Sequence, residues 1–131
     1  MRYLLDTNAV VGLLHDSSSR LAKRTRQEKP DDVTISAIVA HELFYGAFKS
    51  QRVTKNLALV DALQFAVIEF DKEDARRAGE IRALLAAKGM SIGAYDVLIA
   101  GQALARSMIL ITHNTREFKR VPGLRIDDWQ S

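Results

Sequence analysis

The chain has 131 residues, 47% of them hydrophobic, and we expect residues 1–131 to form one domain around a single core. It contains no cysteine, which excludes disulfides, thiolate zinc sites and a cysteine nucleophile. The net charge of +3 at pH 7 is compatible with a polyanionic partner, and without a signal peptide or a membrane-length apolar run we expect a cytoplasmic protein with no membrane partner.

The first half of the chain predicts two short strands and several helices. Residues 2–5 form an apolar run that suits a buried strand, and residues 33–35 are β-branched and follow a proline-containing turn. Residues 17–28 predict a polar, strongly basic helix. A helical pattern then begins at Ala37, with Ser36 as its expected N-cap.

The second half continues the alternation of helices and strands. Asp71 and Asp74 have the spacing of a capping box, and Gly89 is a helix stop. The predicted elements are a helix over 54–63, a strand over 66–70, a helix from 71 to 88, a helix from 96 to about 107 and a strand over 108–112. Strands that alternate with helices indicate an α/β fold, with a mostly parallel sheet and helices on both faces.

Acidic and amide side chains fall where ligands bind in such sheets, beyond the carboxyl ends of the strands. Asp6 directly follows the first strand, Asn114 follows the strand over 108–112, and Asp96 lies in the first turn of its helix. Glu42 lies in mid-helix among apolar residues, where an unpaired charge is costly. We expect Asp6, Glu42 and Asp96 to converge and to hold a hard cation such as Mg²⁺, which suits phosphodiester hydrolysis.

Each acid also has a simpler interpretation. Asp6 could cap the helix that follows it, and Asp96 could stabilise the first turn of its own helix. Glu42 could pair with a neighbouring lysine or arginine. For a single acid these explanations are the more common ones, so the hypothesis of a metal site depends on the combination.

Four blocks of sequence, and the chain's ending, carry a resemblance that covers nearly the whole chain. The blocks occur in the order and spacing of one family: residues 4–8 (LLDTN), 36–43 (SAIVAHEL), 93–100 (GAYDVLIA), 111–118 (ITHNTREF) and the tail 121–129 (VPGLRIDDW). Together they resemble the PIN-domain ribonucleases and, within them, the VapC toxins of bacterial type II toxin–antitoxin pairs.

The resemblance implies a PIN fold, a mostly parallel sheet of about five strands in a three-layer α/β/α arrangement. It also implies an endoribonuclease that depends on Mg²⁺, with Mn²⁺ as a substitute. Asp6 and Asp96 match the family's principal metal-binding aspartates, and Glu42 matches the acid that orients water or joins the metal's ligands.

The fourth acidic position departs from the family pattern. Many relatives have aspartate where this chain has Asn114, and Glu117 lies three residues later. The resemblance leaves open whether Asn114 or Glu117 completes the site. Ala94 also replaces a proline that is frequent in close relatives, which loosens the loop before Asp96 without removing any chemistry.

Several polar neighbours of the acids have two interpretations each. Thr7, Asn8, Ser36 and Thr112 could orient the acids, or they could serve only as turn and cap residues. For Tyr95, packing against the sheet is the favoured interpretation and stacking on an RNA base is the alternative.

Positive charge is concentrated in three groups that an RNA backbone could contact, although a charge run is more often a solvated surface. They are Arg20, Lys23, Arg24, Arg26 and Lys29; Lys49, Arg52 and Lys55; and Lys119 with Arg120. The resemblance implies an RNA substrate, with structured RNA such as tRNA as the expected class.

The resemblance also implies two protein partners. One is a cognate VapB-type antitoxin, which would occupy an apolar groove and place a basic side chain among the acids. The other is a second copy of the chain, and the homodimer contact would use residues that could equally belong to the core: Phe44, Tyr45, Phe48, Leu57 and Val60.

Two other functions compete with the nuclease. A phosphatase or receiver-type domain would use Asp6 as nucleophile or phosphoacceptor, but the haloacid-dehalogenase pattern needs a second aspartate where this chain has Asn8. A non-catalytic PIN-fold module would only bind its antitoxin or RNA, and the presence of all three principal acids argues against it.

Overall fold

The computed structural model describes residues 2–130; Met1 and Ser131, the ends of the predicted domain, lie outside the described residues. The strands of this part are β1 (Tyr3–Leu5), β2 (Val33–Ser36), β3 (Ala66–Ile68), β4 (Ile109–Ile111) and β5 (Ile126–Asp127). Its α-helices are α1 (Thr7–His15), α2 (Arg20–Gln27), α3 (Ala37–Phe48), α4 (Val53–Asp61), α5 (Lys72–Ala87), α6 (Ala94–Ala105) and α7 (Thr115–Phe118). A single 3-10 turn (Pro30–Asp32) precedes β2.

The five strands form one parallel sheet in the order β3-β2-β1-β4-β5. In the centre of the sheet, Leu5 of β1 is opposite Ile35 of β2 on one side and Ile111 of β4 on the other. Every residue of β1, β2 and β4 is buried, as expected for parallel strands covered by helices on both faces. The predicted α/β fold with a five-stranded parallel sheet is confirmed.

The strand order also explains how the helices divide between the two faces. The chain moves from β1 to β2 to β3 in one direction, and from β3 across to β4 and β5 in the other. Because crossovers between parallel strands are almost always right-handed, the helices of the two halves cover opposite faces. This is the predicted three-layer arrangement, and it brings the carboxyl ends of β1, β2 and β4 to one edge of the sheet.

Helix α6 is fixed against α5 by close packing and by a buried polar network. A Cβ atom at Gly101 of α6 would lie 2.6 Å from Ala78 of α5, so only glycine permits this approach. About one turn earlier in α5, the buried carboxylate of Asp74 accepts hydrogen bonds from Gln102 (2.9 Å) and Arg106 (3.0 and 3.2 Å) of α6. Burial alone would raise the pKa of Asp74, but these bonds outweigh it and lower the pKa.

The structure differs from the predicted elements mainly near the site and at the end of the chain. Helix α6 begins at Ala94, two residues before the predicted start, because Gly93 is its N-cap. Neither α7 nor β5 was predicted, since four and two residues are too short to show a periodicity. In residues 2–130, no helix combines the length and apolar character needed to cross a bilayer.

Candidate functional site

Asp6 is the most deeply placed of the candidate acids. It directly follows β1, its N–H donates to the carbonyl of Ile111 (3.1 Å), and its side chain is 4% exposed. Its Oδ1 accepts the N–H of Ala9 (2.8 Å), so Asp6 does cap α1, as the simpler interpretation predicted. Burial raises the pKa of Asp6; hydrogen bonds from Thr112 and Ala9 oppose that rise, and the charge of Glu42 adds to it.

Glu42 projects from α3 toward the start of α1. Its Oε1 accepts a hydrogen bond of 2.7 Å from the hydroxyl of Thr7, which opens α1. Among residues 2–130, no lysine or arginine forms an ion pair with Glu42, so the simpler interpretation of this acid is wrong. The half-buried carboxylate is instead held in place by a neutral donor.

Asp96 is the third residue of α6 and is half-buried. Its carboxylate folds back toward the N-cap, where a Cβ atom on Gly93 would lie only 3.2 Å from Oδ2. Burial, followed by the charges of Asp6, Glu117 and Glu42, raises the pKa of Asp96 from 3.8 to about 6. The other three acids are therefore each close enough to repel the charge of Asp96.

Asn114 and Glu117 act together in the structure. The Asn114 side-chain amide donates to Glu117 Oε2 (2.6 Å), and the Asn114 backbone N–H donates to the Thr112 hydroxyl (2.9 Å). Thr112 also bonds to Asp6, which links this turn to the centre of the site. Of this pair, Glu117 carries the negative charge that helps to raise the pKa of Asp96, and Asn114 holds the Glu117 carboxylate in place.

The cluster formed by Asp6, Glu42, Asp96 and Glu117 has the donor chemistry that a hard divalent cation prefers, oxygen atoms alone. Within residues 2–130, no three acidic or histidine side chains already stand close enough together to share one ion. Mg²⁺ needs fewer protein ligands than that, commonly one or two carboxylates, with waters and phosphate oxygens completing its shell. The donors present therefore fit Mg²⁺, and a cation here would relieve their mutual repulsion.

The remaining polar candidates separate into two groups. Thr7 and Thr112 bond directly to the acids, in agreement with an orienting role. Ser36 is fully buried and caps α3 by accepting the Ile38 N–H at 3.0 Å, while Asn8 is exposed. Ser36 therefore serves as a cap residue, which is the simpler of its two interpretations.

Two aromatic rings border the acids. Tyr95 is 47% exposed, so the favoured prediction that it packs against the sheet is wrong. Its ring centroid lies 5.3 Å from that of His41, the residue before Glu42. Sequence reasoning did not single out His41, and its only signal was its position beside an acid.

A recess of about 450 Å³ opens beside Glu42, between α1, α3 and α4. Its walls are mostly apolar, and one cationic side chain, that of Lys55, contributes to them. Polar atoms of Thr7 and Glu42 line its inner end, so the recess adjoins the acids. The apolar part is lined by Val11, Leu14, Leu43, Leu59 and Val60.

The predicted basic surface is partly used within the fold. Arg24 pairs with Glu28 (3.1 Å) and lies over the Trp129 ring at 4.9 Å, and Arg26 donates to the Ser17 carbonyl (2.9 Å). By contrast, Lys23 and Lys55 are exposed. The positive charge open to a polyanion is therefore smaller than the sequence suggests.

Comparison with known proteins identifies the family. Residues 3–124 match the model of the PIN domain. The chain is 38% identical to the tRNA(fMet)-specific endonuclease VapC of Salmonella typhimurium and 37% identical to that of Shigella flexneri, over 98% of each chain. It also resembles a chain in the crystal structure of DNA-bound VapBC from Salmonella typhimurium, with a TM-score of 0.93, 38% identity and 98% coverage of both chains. The chain therefore belongs to the PIN-domain family and, within it, to the VapC ribonucleases.

Proposed function

We propose that this chain is a metal-dependent endoribonuclease, the toxin of a type II toxin–antitoxin pair. The observation that carries the proposal is that Asp6, Glu42, Asp96 and Glu117 come together, so that burial and the charges of the other three acids raise the pKa of Asp96 to about 6. This cluster places several carboxylates at the edge of the sheet where parallel α/β folds bind ligands. We place the reaction in the cytoplasm, where the RNA substrate is.

The proposed cofactor is Mg²⁺, with Mn²⁺ as a substitute, held by Asp6 and Asp96 with Glu42 beside them. When bound, the ion lowers the pKa of water and offsets the charge that develops on the phosphate. The protein holds its ligands in advance: Ala9 and Thr112 fix the Asp6 carboxylate, and Gly93 leaves room for that of Asp96. Glu42, held by Thr7, orients the attacking water through its free carboxylate oxygen.

The products of this hydrolysis are a 3′-hydroxyl and a 5′-phosphate. Two residues share the fourth acidic position in this proposal. Glu117 contributes the negative charge, and Asn114 positions the Glu117 carboxylate through the 2.6 Å hydrogen bond. An amide alone brings no charge, so Asn114 by itself would hold a cation weakly.

We propose initiator tRNA as the substrate. The support is the 38% and 37% identity, across nearly the whole chain, to two VapC proteins named tRNA(fMet)-specific endonucleases. Cleavage of purified initiator tRNA, with elongator methionine tRNA as the control, tests this substrate. Equal cleavage of the two RNAs would contradict it.

The proposed protein partner is a VapB-type antitoxin that occupies the recess beside Glu42. Its apolar walls suit a hydrophobic segment, and its inner end at Thr7 and Glu42 lets a basic side chain of that segment reach the acids. The DNA-bound VapBC structure from Salmonella typhimurium supports this pairing. Co-expression with the neighbouring small reading frame should relieve toxicity, and Leu59→Arg in the recess should abolish that relief.

We also propose a homodimer, through a smaller surface than the sequence suggested. Phe44, Leu57 and Val60 are half-buried, and Val60 packs against the core. Tyr45 and Phe48 remain as the exposed part of the predicted contact, with 61% and 64% of their surface accessible. Light scattering should give twice the mass of one chain for the parent, and the mass of one chain after Tyr45→Glu with Phe48→Glu.

One experiment separates the nuclease from a non-catalytic binding module. Purified protein is incubated with RNA and Mg²⁺, with and without EDTA, beside the variants Asp6→Asn and Asp96→Asn. We expect cleavage by the parent with Mg²⁺ only, and a loss of at least about 100-fold in both variants. RNA binding without any cleavage would support the binding module, and full activity of folded Asp96→Asn protein would contradict the assigned site.

A further inference from the structure

Each of two site acids is directly preceded by an aromatic residue, and the two rings meet. His41 precedes Glu42 on α3, and Tyr95 precedes Asp96 on α6. Their ring centroids are 5.3 Å apart and their planes are inclined by 54°. We refer to His41 and Tyr95 as the ring pair.

The ring pair is open to solvent and is not part of the core. Both residues are exposed, and the buried core cluster includes neither of them. The rings meet where α3 and α6 also bring Glu42 close enough for its charge to act on Asp96, so the pair borders the acids that would face a scissile phosphate. A nucleotide attached to that phosphate therefore comes within reach of the rings.

We propose that the ring pair is a stacking platform for an unpaired base next to the scissile phosphate. This inference rests on the proposed ribonuclease function and names the feature of the substrate that the site reads. Single-stranded RNA is commonly recognised by bases that leave their own stack and pack on aromatic side chains. Tyr95 keeps 47% of its surface exposed although its ring meets that of His41 at an angle of 54°, so it remains accessible to a base.

The polar atoms of the ring pair favour a nucleotide over an apolar protein segment. The imidazole of His41 and the hydroxyl of Tyr95 make the platform polar at its edges, and both can bond to a base or a ribose. Lys55 lines the same recess as Glu42 and would supply a cation for the continuing backbone. The site then presents metal-binding acids for one phosphate, aromatic rings for a base and a lysine for a neighbouring phosphate.

The first test measures stacking without cleavage. The protein carries Asp6→Asn, which inactivates it while leaving the neighbours of both rings unchanged, and the probe is a short single-stranded RNA with 2-aminopurine at its centre. Stacking on an aromatic ring quenches the fluorescence of 2-aminopurine. We expect quenching by this protein and by its Tyr95→Phe form, and about tenfold weaker binding with little quenching after Tyr95→Ala or His41→Ala.

The second test uses active protein and separates substrate binding from chemistry. Tyr95→Ala should raise KM about tenfold with kcat within about threefold of the parent, and Tyr95→Phe should restore KM. Leu84→Ala, which removes an exposed apolar side chain from α5 away from the site, is the matched control and should change neither constant. If the ring pair only braced α3 against α6, the acids would shift and kcat would fall instead.

Three results would overturn the platform. The first is unchanged quenching in both alanine variants, and the second is a fall in kcat with KM unchanged. The third is a change of oligomeric state after Tyr95→Ala with quenching intact, which would make the ring pair a protein contact. These results are distinguishable from failure of the proposed function. If the parent protein does not cleave RNA, the ribonuclease proposal fails, whereas the quenching measurement still decides whether the rings bind a base.

Discussion

Asp96 carries the pKa shift with the clearest functional consequence. Its folded-state pKa of about 6 lies above the ordinary 3.8, so the folded protein binds this proton more tightly than the unfolded chain does. The contribution of Asp96 to the free energy of unfolding of the metal-free protein therefore becomes more favourable as the pH falls through 6 toward 4. Above pH 6 the Asp96 charge opposes folding, and we expect a bound cation to offset that effect.

The first prediction is that the effect of removing the Asp96 charge on thermal stability depends on pH. In EDTA at pH 7.5, Asp96→Asn should unfold at a higher temperature than the parent, because it lacks a charge that burial and the neighbouring acids disfavour. At pH 5 the difference should shrink, since the parent is then largely protonated at this residue. Thermal unfolding of both proteins at the two pH values measures it, and a difference that does not change with pH would contradict the assigned repulsion.

The second prediction concerns the hydrogen bond from Thr7 to Glu42. Thr7→Val keeps the shape of the side chain but removes the donor, and a bond to a charged group is worth about 1.5–3 kcal/mol. We expect a fall in kcat of about tenfold or more, with Thr7→Ser close to the parent. Single-turnover cleavage measures the rate, and an unchanged rate in Thr7→Val would show that Glu42 needs no fixed orientation.

The third prediction concerns the pair of Asn114 and Glu117. If Asn114 acts only by holding Glu117, each of Asn114→Ala and Glu117→Gln should weaken Mn²⁺ binding, and the double variant should be no weaker than Glu117→Gln alone. Calorimetric titration with Mn²⁺ measures this. Additive losses would mean that both side chains contact the ion.

Among the elements, α6 matters most because it carries Asp96 at its first turn. Gly101 lets α6 approach α5, and hydrogen bonds among Asp74, Gln102 and Arg106 join the two helices near the end of α6 that is remote from Asp96. The site therefore depends on helix packing far from the acids. A disturbance at Gly101 should move Asp96 as well as lower the stability.

The fourth prediction compares two glycines in these helices. Gly101→Ala places a methyl group 2.6 Å from Ala78 and should lower the free energy of unfolding by about 1–3 kcal/mol. Gly79→Ala on α5 meets nothing within 4 Å and should raise it by about 0.5–1 kcal/mol. Urea unfolding of both variants checks the pair, and equal effects would contradict the close helix contact.

At the scale of the whole molecule, the sequence predicted what depends on strong local patterns. The buried strands, the capped helix α5 and the parallel sheet follow from apolar runs, caps and alternation, and motif blocks indicated Asp6, Glu42 and Asp96. The exposure of Tyr95 and its contact with His41 were not predictable, because they depend on how α3 and α6 meet. The coupling of Asn114 to Glu117 likewise needed the geometry of a four-residue helix.

The proposed function requires that remote carboxylates share one divalent cation, and a crystal grown at pH 7.5 and soaked in Mn²⁺ would reveal that ion. Diffraction data at the manganese absorption edge would locate the ion without reference to any assumed site. We expect an anomalous peak in contact with carboxylate oxygens of both Asp6 and Asp96. A saturated soak in which manganese binds elsewhere, or contacts neither residue, would contradict it.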